Sequence, residues 1–161
     1  MILAALPSTA RIWVFQSNRL LAETEELDLL QQLKTFVSGW QAHGVDLVAD
    51  AEILHSSIVV IGVDESKEPP SGCSIDKAFG LLKAFAETSG IDLFNRLLLN
   101  ISYCNSAKIL SQGEIQSLLN QGELSPKALV FNALASTLKE LQEVTYLSLE
   151  DTWMASKLQF K

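Results

Sequence analysis

The run Ile58-Val59-Val60-Ile61-Gly62-Val63 constrains the chain more than any other, because six consecutive residues offer water no polar face. So short an apolar run, rich in β-branched residues, reads as a central strand covered on both sides. The chain must therefore supply packing material above and below a sheet. It can, since 48% of its 161 residues are hydrophobic and 19% are charged, enough for one core without disulfide or metal staples.

The segments around this run give the order of elements. Arg11 to Gln16 is β-branched and aromatic and reads as a first strand. Thr24 is expected to cap a helix with Glu25 and Glu26 in its first turn and a buried stripe of Leu27, Leu30, Leu33, Val37 and Trp40. His43 falls in its last turn and Gly44 just past its end. From Leu47 to Leu54 apolar residues alternate with partly polar ones, and His55-Ser56-Ser57 turns the chain into the apolar run as a hairpin. Asp64 to Ser74 carries Pro69-Pro70 and must be a loop. Ile75, Ala78, Phe79, Leu82, Phe85 and Ala86 then mark a second helix closed by Ser89-Gly90, and Arg96 to Cys104 is another strand.

Strand, helix, strand, strand, helix, strand over residues 11–104 predicts an α+β fold of ferredoxin-like βαββαβ type, with the first and third strands expected side by side and parallel. Residues 105–161 read as an α/β extension packed on that unit within a single domain. Ser111-x-x-Glu114 and Thr137-x-x-Glu140 have capping-box spacing, Ala128 to Asn132 suits a strand or a helical turn, and Val144 to Leu149 is extended. Trp153, Met154 and Phe160 are candidates for an exposed apolar patch.

The formal net charge of −7, with no Lys/Arg cluster, argues against nucleic acid and anionic membrane surfaces as partners. Met1 to Leu6 has no basic leader and is cut short by Pro7, so neither an export signal nor a spanning helix is expected. Cys73 and Cys104 lack metal-ligand spacing, which predicts free thiols, a cytoplasmic setting, no metal and no cofactor.

The most pointed chemistry is Ser71-Gly72-Cys73-Ser74-Ile75-Asp76, where a loop delivers small polar residues to a helix start. Unpaired N–H groups and the macrodipole there suit a small anion or a partner's acidic group, and they would stabilise a Cys73 thiolate. The plainer reading is a cap at Ser74, a bend at Gly72 and a gap filled by Cys73. Parallel first and third strands would bring Arg19 to the same anion. Two functions follow: a non-enzymatic module binding through Arg19, Ser71, Gly72, Cys73, Ser74 and Asp76, or a thiol enzyme with Cys73 as nucleophile and His43 or a carboxylate as base. His55 is expected at the opposite edge of the sheet. Asp50, Glu52, Asp64 and Glu65 are a lesser candidate, as carboxylates that could crowd at one end of it.

Trp13-Val14-Phe15-Gln16-Ser17-Asn18-Arg19, Trp40-Gln41-Ala42-His43-Gly44, Asp64-Glu65, the SGCSID segment, Val130-Phe131-Asn132 and Leu149-Glu150-Asp151-Thr152-Trp153 together resemble a family of small uncharacterised bacterial proteins. The resemblance spans Ile12 to Trp153, and SGCSID is its most specific element. Members often carry the label "ABC transporter ATPase". The residues oppose that label, because the chain has no G-x-x-x-x-G-K-[ST] loop to cradle phosphates. The resemblance therefore implies a grouping without an activity or a catalytic set.

Overall fold

A computed structural model describes residues 2–103 and 106–160. Among these residues it is an α+β protein with four α-helices and antiparallel sheets. Three strands form the first sheet in the order β1-β5-β4, where β1 is Arg11–Gln16, β4 is Val48–Leu54 and β5 is Ile58–Asp64. β5 is buried along its whole length and lies in the middle, as its apolar sequence requires.

β1 and β5 are antiparallel, which corrects the parallel neighbours expected from sequence. The connections impose this direction. Helix α1 (Glu23–Ser38) carries the chain over the sheet from β1 to β4, the β4–β5 hairpin reverses it, and β5 enters between the two. Gln16 thus pairs with Ile58 and Arg11 with Val63, so the exit of β1 adjoins the entrance of β5.

Helix α2 (Gly72–Ser89) begins at a Ser71 cap and ends at Gly90, whose φ of 63° places it in the left-handed region. The following strand β6 (Leu99–Tyr103) does not extend the first sheet beside β1, where a ferredoxin-like sheet would place it. It joins a second sheet of order β7-β6-β8-β9, with β7 at Ser106–Leu110, β8 at Leu129–Phe131 and β9 at Tyr146–Ser148. β7 gives no clear sequence signal, and the ambiguous stretch at Ala128 to Asn132 is resolved as strand. Both expected capping boxes form, ahead of α3 (Gln112–Gln121) and α4 (Leu138–Glu143).

Each face of the first sheet has its own core. On one side α1 and α2 pack Leu29, Leu33, Leu82 and Phe85 onto Phe15, Ala51, Val59 and Ile61. On the other, Leu3, Leu6, Leu138, Leu141 and Phe131 cover Ile12, Ile58 and Val60. A third cluster, including Ile101, Ile115, Val130, Leu149 and Met154, belongs to the second sheet and α3. Met154 and the half-buried Trp153 therefore do not form the exposed patch expected of them. Buried Asn100 on β6 donates to Ser57 Oγ at 2.7 Å, joining the second sheet to the β4–β5 turn.

Helix α1 departs from its predicted form in two ways. Its cap position is Ala22, whose N–H donates to Glu25 Oε2, and its buried residues are Leu29, Leu33 and Val37, while Leu27 is exposed. It also stops at Gly39, so Trp40 drops into the core and Gln41–Ala42 and Val45–Asp46 pair as the short strands β2 and β3. His43 and Gly44 sit at the tip of that hairpin with φ of 51° and 79°, not in a helical turn and its cap.

No helix among the described residues is long and apolar enough to cross a membrane.

Candidate functional site

The helix start at Ser71 to Asp76 is built around a buried indole. Trp40 Nε1 donates to the main-chain oxygen of Ser74 at 2.8 Å, pinning the first turn of α2 to the core. The cap is Ser71, not Ser74 as expected: Ser71 Oγ accepts from the Ser74 N–H, and the buried Ser74 hydroxyl donates back to the Ser71 main-chain oxygen. Gly72, Cys73 and Asp76 are exposed, and the Cys73 thiol is free. Cys104 lies outside the described residues. The β2–β3 tip brings His43 to the same open cleft, lined also by Gln41, Gly44 and Lys77.

Arg19 is not part of this cleft. Its guanidinium forms two hydrogen bonds with Glu25, at 2.7 and 2.8 Å, and reaches the main-chain oxygen of Ser89 at 3.3 Å. Ser89 is the last residue of α2 and Cys73 is in its first turn, a separation of roughly 24 Å at the rise of an α-helix. The antiparallel run of β1 against β5 is the reason, since it sends the two exits to opposite ends of the sheet. The hydrogen bonds from Arg19, and then that from the Ala22 amide, hold Glu25 down at about 2.

The four carboxylates do not gather either. Asp50 pairs with Lys34, Glu52 accepts from the Leu3 N–H, Asp64 accepts from the Ser66 N–H and Glu65 meets Arg11. Among the described residues no group of His, Cys, Asp and Glu could hold a metal ion. His55 lies at the β4–β5 turn, away from Cys73 as expected, 2.7 Å from the Tyr146 hydroxyl.

A better enclosed site lies between the two sheets. A cavity of about 120 Å³ opens along the free edge of β1, against β6, β8 and the segments after them. That is several-fold more than the ~10–15 Å³ needed by one water. Its apolar lining includes Val14, Phe15, Leu99, Val130 and Phe131. Gln16, Asn95, Arg96, Asn132, Asp151 and Thr152 supply the polar groups.

Gln16 is the distinctive member. Its residue is 9% exposed, its Nε2 donates to the Leu98 main-chain oxygen at 3.2 Å, and its Oε1 is buried without a partner. A buried amide oxygen left unpaired costs about 1–3 kcal/mol. Most of the other polar groups are already engaged: Asn132 Nδ2 donates to Val144, Asn95 Oδ1 accepts from the Leu97 N–H and the Thr152 hydroxyl donates to Leu149. Arg96 is exposed at the rim, and among the described residues no carboxylate lies within ion-pair distance of it.

The cavity has no local sequence pattern, because its residues come from five separate segments. One signal was present. Gln16 and Asn132, both in its lining, each directly follow an apolar strand run, Ile12 to Phe15 and Leu129 to Phe131.

Comparison of the chain with protein-family models, with curated proteins and with solved structures gives no match.

Proposed function

We propose that the protein is a non-enzymatic binding module that holds a small, partly apolar molecule bearing an N–H or O–H donor in the cavity between its sheets. The buried, unpartnered Oε1 of Gln16 carries this reading, because a ligand donor there satisfies a group that the fold leaves unsatisfied. Apolar walls suit such a ligand, and Arg96 at the rim, without an ion-pair partner among the described residues, offers a partner to an anionic substituent placed away from the Asp151 carboxylate. This keeps the expected class, a module for a small anion, but moves its place from the α2 start to the β1 edge.

Benzamide tests the proposal, since it offers an apolar ring and an amide donor. Titration followed by NMR is expected to shift the Gln16 side-chain amide and the Trp153 indole, and Gln16→Leu is expected to weaken binding about tenfold. Unmoved cavity signals, or equal affinity in Gln16→Leu, would overturn it.

A thiol-dependent enzyme using Cys73 is the second reading. It is favoured by one observation, the cleft that Cys73 shares with His43 and Lys77.

A further inference from the structure

The cavity lies where the first sheet stops short. β6 leaves for the second sheet, so the outer edge of β1 has no continuous neighbour. At one end that edge is covered: Ile12 donates its N–H to the Ser136 main-chain oxygen at 3.0 Å, and the Leu138 N–H donates to Ala10 at 2.9 Å. At the other end the Gln16 side chain reaches across to Leu98, and just past β1 the Asn18 N–H donates to the Asp92 main-chain oxygen at 2.9 Å while Asn18 Oδ1 accepts from the Asp92 N–H.

Main-chain groups of an antiparallel strand alternate between its two sides. Ile12 bonds outward to Ser136, and Ser17, five residues on, bonds inward to Ser57. Val14 is therefore in phase with Ile12. Its N–H and C=O point away from β5, and among the described residues no hydrogen bond outside the β1–β5 ladder engages them. Val14 lines the cavity already described and also an adjoining one of about 240 Å³, which shares Phe15, Arg96 and Leu134 with it and adds Arg11 and Trp13. From Ile12 to Gln16 the edge runs roughly 13 Å, the length of an extended segment of three to four residues.

We infer that this open stretch of β1 takes a short extended peptide carrying a carboxylate, which adds as a fourth strand by main-chain hydrogen bonds to Val14. The inference rests on the proposed ligand cavity and names the class of its occupant. A peptide fits the donor and acceptor pair of one strand residue, which few other small molecules match in spacing. Its N–H groups also meet the need of Gln16 Oε1. Val14, Phe15, Leu99, Val130 and Leu134 offer apolar contact to its side chains, and Arg96 offers a charge partner to its carboxylate.

The test changes the peptide while the protein stays wild type, so folding is not at stake. The probes are N-acetyl-Val-Ala-Glu amide, the same peptide with the alanine nitrogen methylated, and its Glu-to-Gln counterpart, each titrated alongside benzamide. The unmodified peptide is expected to bind and to slow hydrogen exchange of the Val14 amide at least tenfold, and methylation to weaken binding about tenfold. The Glu form is expected to bind better than the Gln form, and Arg96→Gln to erase that preference. If benzamide binds but the peptide does not, or the methylated peptide binds equally well, strand addition is wrong and the cavity reading stands. If neither probe binds, both fall. Loss of the charge preference alone would overturn the carboxylate.

Discussion

The indole N–H of Trp40 and the main-chain oxygen of Ser74 are 2.8 Å apart, a buried bond between residues 34 positions apart in the chain. It fixes the start of α2 against the end of α1 and so sets where Cys73 and His43 emerge. Trp40→Phe keeps a ring in the core but removes the donor and some volume. Urea unfolding is expected to show a loss of about 2 kcal/mol. Amide exchange should quicken in the first turn of α2 and not in its last. A uniform increase along α2 would contradict this role.

Glu25 provides a pH signature. Its carboxylate is held at about 2 by Arg19 and by the Ala22 amide. A folded value below the unfolded one contributes stability that is complete above about 4.3 and is lost as the pH falls towards 2. NMR titration should give a Glu25 midpoint near 2, raised towards the ordinary carboxylate range in Arg19→Gln. Most of any stability gap between that variant and the wild type should be gone by pH 2, with the rest closing below it. A gap that persists unchanged there would show that Arg19 acts through something other than Glu25.

Gly62 is the one residue of the β5 run without a side chain, and the packing explains it. A Cβ at that position would lie 2.7 Å from Cδ1 of both Leu3 and Leu6. Gly62→Ala is expected to displace these leucines and cost about 1–3 kcal/mol in urea unfolding. Leu3→Ala makes room for the added methyl, so the double variant should lose less than the sum of the two single changes. Strict additivity would place the strain elsewhere.

Cys73 separates the two functional readings. It is exposed, and its thiol is free. Iodoacetamide is expected to label it completely in the folded protein, at a rate within about threefold of glutathione at the same pH, because among the described residues no general base is hydrogen-bonded to it. A rate a hundredfold higher, lost in His43→Gln, would make the thiol enzyme the better account.

Much of the α+β character was legible locally. The apolar run of β5, the α2 stripe ending at Gly90 and the capping boxes at Ser111 and Thr137 all formed as expected, because hydrogen bonds and apolar spacing within a few residues decide them. The start and end of α1 differ from the local expectation for a related reason. Thr24 resembles a cap, but Glu25 reaching back to the Ala22 N–H begins the helix earlier, and burial of Trp40 ends it before Gly44.

The sequence by itself determined that β5 is central, where α2 lies, and that the Ser71 to Asp76 segment begins it. The direction of β1 against β5 follows from the α1 crossover and the β4–β5 hairpin. Only the tertiary structure decided the departure of β6 to a second sheet and which polar residues meet at the β1 edge. Strand pairing depends on contacts between distant segments, whose energies no local pattern records. That is why Arg19 is found with Glu25 and Ser89, far from Cys73, and why Gln16 opens onto a cavity made by β6 and β8.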